Sequence, residues 1–213
     1  MRYRYELKYV IAPDTAAILK RRISTVLPPD PNADGAYRVH NLYLDDIHDT
    51  YYNQKYLGHM ARDKYRIRYY NNDLSKINLE RKHKDGEVSY KETAKLTPEQ
   101  VQCLKTGDLD ELLFSDDPLL RRLSILHRLR PMRPAAAFSY LREAYIYGPG
   151  DVRLTFDSGL KTDAPTPAVR PFLLLEVKYS SFMPSVITQL LRGLPLVRTE
   201  TSKYCMVRER MLG

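Results

Sequence analysis

The sequence predicts an α+β domain in which a closed eight-stranded antiparallel β-barrel is surrounded by peripheral helices. Eight segments alternate polar and apolar residues with the period of a strand, and short sequences such as NND and KDG join neighbouring strands as hairpins. In several strands the charged residues all share one parity. Closing the sheet removes its exposed edges and gives those charged faces an interior, whereas an open sheet would turn them to solvent.

The strands and helices follow in order along the chain. Strands are predicted at residues 4–11, 37–46, 63–70, 76–84, 87–94, 132–147, 151–158 and 172–180. The first helix begins with Pro13 and Asp14, which suit a first turn, and runs to about Leu27. Further helices are predicted at residues 50–58, after a capping box of Thr97 and Gln100, at 118–129 and at 184–194. Residues 28–35 and the proline-rich residues 162–171 are predicted loops.

Length and composition fit one domain over residues 1–213, with 43% hydrophobic residues for a core. The net charge of +8 favours an anionic partner: nucleic acid, an acidic membrane surface or a phosphorylated small molecule. We find neither an apolar run of about 20 residues nor the apolar segment of a signal peptide, so we expect a cytoplasmic protein. Cys103 and Cys205 fit no metal or redox motif and are expected to be free thiols.

The charged faces indicate the kind of ligand. One parity carries, in four successive groups, Lys64, Arg66 and Arg68; Glu80, Lys82 and Lys84; Arg153, Thr155 and Asp157; and Glu176 and Lys178. A single Glu-x-Lys pair on a strand is commonly a surface salt bridge. Repetition with an excess of cations suits instead a polyphosphorylated ligand held by Arg and Lys, with a metal ion held by the carboxylates.

Other signals are weaker. Asp30 to Gly35 imitates the start of an EF-hand loop, but the twelfth position is Asn41, where a bidentate Glu is required, so an ordinary turn is expected. The histidines show no metal-ligand spacing, and no phosphate loop or nucleophile elbow is present. The 17 tyrosines could stack on bases, but we interpret them as half-buried strand residues, which disfavours a nucleic-acid partner.

Several fragments, in order along nearly the whole chain, resemble one known group of proteins. They are Glu6-Leu-Lys8-Tyr9, Arg66-Ile-Arg68, Glu80-Arg-Lys82, Tyr140-Leu-Arg142, Arg153-Leu-Thr-Phe-Asp157, Leu175-Glu176-Val-Lys178 and Ser202-Lys203-Tyr204. The chain resembles the CYTH-like triphosphate tunnel metalloenzyme superfamily, and within it the VTC domain, the catalytic module of polyphosphate polymerases. The resemblance implies an eight-stranded antiparallel tunnel that binds triphosphate and a divalent metal.

The resemblance also implies roles for particular residues. Catalytic cations are expected at Lys8, Arg66, Arg68, Lys82, Arg142, Arg153, Lys178 and Lys203. Arg4, Lys91 and Ser202 are expected to bind the phosphates as well. Lys91 is expected at the periphery of the site, as are Lys64 and Lys84. Glu176 is the first candidate ligand for Mn²⁺ or Mg²⁺, helped by Glu6, Glu80 and Asp157.

The implied reaction is transfer of the terminal phosphoryl group of ATP, or another nucleoside triphosphate, to orthophosphate or a growing inorganic polyphosphate chain. Related hydrolases begin with Glu-x-Glu-x-Lys, whereas this chain has Arg4-Tyr-Glu6-Leu-Lys8, which favours the polymerase branch. The alternatives are a metal-dependent triphosphatase and a non-catalytic polyphosphate-binding module. Oligomeric state and a separate membrane partner are left open by the sequence.

Overall fold

The computed structural model describes residues 4–31, 35–162 and 173–212. The strands are β1 (Tyr5–Val10), β2 (Tyr37–Asp46), β3 (Ala61–Tyr70), β4 (Asp73–Asp85), β5 (Val88–Lys95), β6 (Met132–Tyr147), β7 (Val152–Thr162), β8 (Leu173–Tyr179) and β9 (Val197–Arg198). The helices are α1 (Pro13–Ser24), α2 (Thr50–Tyr56), α3 (Pro98–Thr106), α4 (Pro118–Leu129), α5 (Ser185–Leu191) and α6 (Lys203–Leu212). Most of the predicted proline-rich loop, and residues 32–34 of the EF-hand-like turn, lie outside the described residues.

The predicted antiparallel sheet with peripheral helices is confirmed, but the closed eight-stranded barrel is wrong. The described part of the chain forms one sheet of nine strands in the order β5-β4-β3-β2-β6-β7-β8-β1-β9. It curls so that β1 approaches β5, where a single bridge joins Arg4 to Ser89 and the Arg4 N–H donates to the Ser89 carbonyl at 3.2 Å.

The register between β1 and β5 explains why, among the described residues, no continuous ladder of hydrogen bonds closes the sheet. Partners in an antiparallel pair run in opposite directions, so Arg4 opposite Ser89 would place Glu6 opposite Glu87. Glu87 precedes β5, and β1 therefore runs past the end of that strand. The short β9, which the sequence analysis did not predict, pairs with Tyr9 and Val10 on the β1 edge that β5 leaves open.

Helices cover the apolar side chains that the strands present on the outer face of the curled sheet. One buried cluster joins β3 and β4 to α3 and α4 through Ile67, Leu79, Leu104 and Leu123. A second joins β7 and β8 to α1 and α5, with Leu154 and Val177 among its members. These contacts leave the charged parity facing inward, as the alternation predicts. None of the helices in the described ranges is long and apolar enough to cross a membrane.

Local sequence signals account for several helix boundaries. The capping box at α3 is confirmed: Thr97 Oγ1 accepts from the Gln100 N–H at 3.2 Å, and the Gln100 side chain accepts from the Thr97 N–H at 3.0 Å. The predicted first helix ends at Ser24 rather than near Leu27, and the helix predicted at 184–194 is shortened to Ser185–Leu191. The helix α6 was not among the helices predicted from the sequence.

The position of α6 shapes the interior. Its Tyr204 ring stacks on Tyr43 of β2 at 4.7 Å, and Tyr43 stacks on Phe138 of β6 at 5.4 Å. The Tyr204 hydroxyl donates to the buried carboxylate of Asp45 at 2.6 Å. The first turn of α6 is thereby anchored against the face of the sheet that carries the charged residues, which places Ser202 and Lys203 beside them.

Candidate functional site

The charged side chains on the inner face of the curled sheet line a cavity. The register sets Lys64 opposite Lys82 and Arg66 opposite Glu80, so side chains of β3 and β4 meet on the inner face. The cavity contains about 1020 Å³ of empty space, part of it open to solvent. Residues from β1, β2, β3, β4, β6, β8 and the N-terminus of α6 line it, so distant parts of the sequence meet there.

Most of the predicted site residues lie in this cavity. Those that line it are Glu6, Lys8, Arg66, Arg68, Lys82, Arg142, Glu176, Lys178, Ser202 and Lys203. Three predicted residues are not part of the lining. Glu80 and Asp157 form ion pairs with the lining residues Arg66 and Arg142, and Lys91 pairs with Glu80. Strand parity and the family resemblance together predicted residues that the structure brings into one cavity, and their roles stay predictions.

Asp157 and Glu176 form the most deeply buried charged cluster. The Arg142 guanidinium donates to both oxygens of Asp157, at 2.6 and 2.7 Å, in a bidentate pair. Lys203 Nζ lies 2.5 Å from Asp157 Oδ2 and 2.9 Å from Glu176 Oε1, while Lys178 donates to Glu176 Oε2 at 2.8 Å. The two carboxylates thus hold three cations in fixed positions at one side of the cavity.

Electrostatics keep these groups charged. Burial raises the pKa of a carboxyl, but Lys178, Lys203 and Arg142 outweigh it and lower the pKa of Glu176 well below its ordinary value. Burial likewise opposes charge on Lys203, yet Asp157 and Glu176 raise the pKa of its amine. Lys178 differs: burial is the stronger influence and lowers its pKa to about 8 despite Glu176 and Glu6.

A second cluster is centred on Glu80 of β4. Arg66 Nε donates to Glu80 Oε2 at 2.7 Å, and Lys91 donates to Glu80 Oε1 at 2.9 Å. Arg68 Nη1 lies 3.7 Å from the same carboxylate and donates through Nε and Nη2 to the Asn41 side-chain oxygen. Burial raises the pKa of Glu80, but Arg66, Arg68 and Lys91 hold it far below the ordinary value. Glu80 therefore acts as the anchor of the arginine pair.

A third cluster spans the seam between the two ends of the sheet. Lys82 of β4 donates to Glu6 of β1 at 2.5 Å, and Lys8 and Lys178 lie 3.6 and 3.9 Å from the same carboxylate. Burial acts against the charge on Glu6, but Lys82, Lys8 and Lys178 together lower its pKa well below the ordinary value. This cluster links β4 to β1 across the seam, beside the backbone bridge that joins Arg4 to Ser89 of β5.

Arg4 and Arg153 lie apart from the other predicted residues. Both line a second cavity, at the opposite end of the inner face, where Arg153 Nη2 donates to Asp30 at 2.7 Å and to the Tyr37 hydroxyl at 3.0 Å. Arg4 forms an ion pair with Asp151 there. The structure does not bring these two arginines into the first cavity, so the replacement of a carboxylate by Arg4 adds no cation to it.

The four predicted metal ligands are distributed unevenly. Among the described residues, no group of three or more His, Cys, Asp or Glu side chains is close enough to hold a metal ion. All four carboxylates are bound by cations, but Glu6 and Glu176 line the cavity whereas Glu80 and Asp157 lie behind it. Mg²⁺ is commonly bound by one or two carboxylates together with substrate phosphates, and Glu6 and Glu176 fit that kind of site.

Sequence reasoning missed several residues of the cavity lining, among them Lys64 and Tyr43. Lys64 was expected at the periphery, yet it is half-buried in the cavity wall and its amine donates to Ser202 Oγ at 2.7 Å. Its shared parity with Arg66 and Arg68 was the available signal. Tyr43 accepts from Arg66 Nη1 at 2.9 Å, but its apolar neighbours made it resemble an ordinary strand tyrosine.

Comparisons with solved structures support the fold. The chain is 16% identical to a candidate adenylate cyclase from Bacillus halodurans, with a TM-score of 0.55 and coverage of 95% of this chain and 96% of that one. A candidate adenylate cyclase from Vibrio parahaemolyticus is 12% identical, with a TM-score of 0.52 and coverage of 100% and 99%. The PH1012 protein from Pyrococcus horikoshii OT3 is 13% identical, with a TM-score of 0.51 and coverage of 96% and 98%.

These identities are low, so the three structures are evidence of a shared fold alone. No curated protein matches the chain significantly in sequence. The profile of the VTC domain, by contrast, matches residues 3–212, which is almost the whole chain and includes every residue of the cavity. The chain therefore belongs to the VTC domain family.

Proposed function

We propose that this chain is a metal-dependent phosphotransferase of the polyphosphate polymerase type. The observation that carries the proposal is the cavity itself, in which arginines and lysines from seven elements converge around a few buried carboxylates. Such a surface suits a triphosphate, because guanidinium forks and ammonium groups can neutralise its oxygens along their length. Membership of the VTC domain family supports the same class of substrate.

The proposed donor is ATP or another nucleoside triphosphate. Its phosphates lie among Lys8, Arg66, Arg68, Lys82, Arg142, Lys178 and Lys203. An oxygen of the acceptor phosphate forms a new bond to the terminal phosphorus as the bond to the bridging oxygen breaks, and the nucleoside diphosphate leaves. Phosphoryl transfer asks the protein chiefly for positioning and neutralisation of charge, which ordered cations supply without a protein nucleophile.

A divalent ion, Mn²⁺ or Mg²⁺, belongs to the proposal. Glu6 and Glu176 would hold it, and it would neutralise negative charge on the phosphate oxygens of the donor. The chain's own residues do the rest: Asp157 and Glu80 stay behind the cavity wall and fix Arg142 and Arg66 in place. The proposed location is the cytoplasm.

The test is a product analysis with ATP and Mn²⁺ or Mg²⁺. We expect labelled terminal phosphate to appear in long polyphosphate on a gel, and Glu176→Gln to lower the rate by about 100-fold or more because the charge that orders Lys178 and Lys203 is removed. Glu111→Gln, an exposed residue on the turn before α4, is the matched control. Orthophosphate without polymer would establish a triphosphatase instead, and binding of polyphosphate without either product would favour the non-catalytic module.

A further inference from the structure

Two neighbouring arginines of β3, Arg66 and Arg68, line the first cavity but are held by different partners. Arg66 donates to the carboxylate of Glu80 at 2.7 Å. Arg68 donates instead from Nε and Nη2 to the side-chain oxygen of Asn41, at 2.9 and 2.8 Å. An amide oxygen carries no net charge, so Asn41 fixes the guanidinium of Arg68 without neutralising it.

The strand register places Asn41 beside Arg68. Asn41 of β2 lies directly opposite Arg68 of β3, whereas the residue of β2 opposite Arg66 is Tyr43. Cross-strand partners have their Cβ atoms about 5 Å apart, so the short amide of Asn41 can reach the guanidinium. Asn41 is 4% exposed, and its Nδ2 donates to the Val39 carbonyl at 3.4 Å. Because a guanidinium has only donors, the amide oxygen is the atom that faces it.

The third nitrogen of Arg68, Nη1, is the one left for a ligand. Nη2 also donates to the Tyr140 hydroxyl at 3.2 Å, so Nε and Nη2 are both bound by neutral acceptors. Nη1 lies 3.7 Å from Glu80, too far for a hydrogen bond, and that carboxylate already accepts from Arg66 and Lys91. Since Arg68 lines the cavity, the N–H groups of Nη1 can donate to a ligand there.

We propose that Asn41 is a positioning residue for Arg68: its side-chain oxygen fixes the guanidinium, and its lack of charge leaves the positive charge of Arg68 to the donor phosphates. The word donor rests on the proposed transfer reaction, whereas the orientation of Arg68 and its effect on a bound triphosphate do not. A carboxylate in place of the amide would fix the guanidinium but form a neutral pair with it. An apolar side chain would preserve the charge and lose the orientation.

Two nearly isosteric substitutions separate charge from orientation. Asn41→Asp keeps an acceptor and adds a negative charge, so metal-free tripolyphosphate should bind about tenfold more weakly in calorimetric titration. Asn41→Leu keeps the charge of Arg68 but removes the acceptor. We expect its kcat with ATP and Mn²⁺ to fall by about 100-fold, because a catalytic group is misplaced, while its affinity for tripolyphosphate changes by less than about threefold.

The orientation of Arg68 has a signal of its own in nuclear magnetic resonance. The Nε–H group held by Asn41 should give a ¹H–¹⁵N peak that exchanges slowly with water, and the peak that disappears in Arg68→Lys identifies it. Asn41→Asp should keep this peak, and Asn41→Leu should lose it. Asn41→Thr supplies a hydroxyl oxygen as acceptor, so it should recover part of the kcat that is lost in Asn41→Leu.

Asn72→Asp is the matched control, because it adds the same charge on the exposed turn between β3 and β4 and should bind tripolyphosphate like the wild type. Asn41→Asp and Asn41→Thr, which retain an acceptor, carry the test if Asn41→Leu does not fold. Wild-type affinity for tripolyphosphate in Asn41→Asp, or wild-type kcat in a folded Asn41→Leu, would overturn the proposal. A wild-type protein that makes no polymer, while the Arg68 peak and the tripolyphosphate affinities change as expected, would refute the proposed function and keep the positioning role.

Discussion

Replacing Asp157 by Asn is expected to lower the free energy of unfolding by about 3–5 kcal/mol, the usual cost of removing one partner from a buried ion pair. The Asp157 side chain is fully buried and is bound by Arg142 and Lys203, whose own side chains are 6% and 9% exposed. An amide can keep a hydrogen bond to Arg142 but supplies no charge. Two cations then remain in the interior with Glu176 as their one close carboxylate among the described residues.

The measurement is chemical denaturation with urea, from which the free energy of unfolding is extrapolated to water. Asp110→Asn is the matched control, because Asp110 pairs with Arg128 at 2.9 Å while their side chains are 68% and 53% exposed. An exposed pair contributes less than about 1 kcal/mol, so this variant should unfold almost like the wild type. Equal stabilities of the Asp157 and Asp110 variants would contradict the burial argument.

Replacing Arg66 by Ala is expected to lower turnover by about 100- to 1000-fold, as removal of one fixed donor to a developing charge commonly does. Arg66 lines the cavity, is held by Glu80 from behind and touches the Tyr43 hydroxyl. The fold should survive, because Lys91 and Arg68 still neutralise Glu80. We expect kcat to fall while the far-ultraviolet circular dichroism spectrum stays native.

A pair of further variants tests whether position or charge alone matters at Arg66. Arg66→Lys keeps the charge but loses the planar fork, so its turnover should lie between those of the wild type and the Ala variant. Arg21→Ala, an exposed change on α1, should be as active as the wild type. If Arg66→Ala retained turnover within about threefold of the wild type, the placement of the donor phosphates beside Arg66 would be refuted.

The inner face was predictable because strand geometry enforces it. Arg66 and Glu80 share a parity with their strand neighbours, and the hairpin between β3 and β4 brings the two residues opposite each other. The grouping of residues around Glu176 does not follow from strand alternation alone, since β8 and α6 come together through tertiary contacts. The family resemblance, rather than alternation, supplied Ser202 and Lys203.

Other features depend on long-range geometry that local patterns do not encode. Arg153 has the same parity as Asp157, yet Asp30, from a loop far away in sequence, engages it at the other end of the sheet. The helix α6 was concealed by Arg208, a charged residue in its buried stripe whose guanidinium donates to the Ala135 carbonyl. Closure of the sheet failed as a prediction because it depends on where β5 begins relative to Arg4.

The seam between β1 and β5 determines how the size of the cavity is controlled. In a closed barrel the number of strands and their stagger fix the diameter. Here one backbone bridge and side-chain pairs that include Lys82–Glu6 and Lys84–Glu200 join the two ends of the sheet across the described residues. Widening the wall at the seam would break one bridge and a few side-chain contacts rather than a whole ladder, so the width of the cavity is set there by side chains that can rearrange.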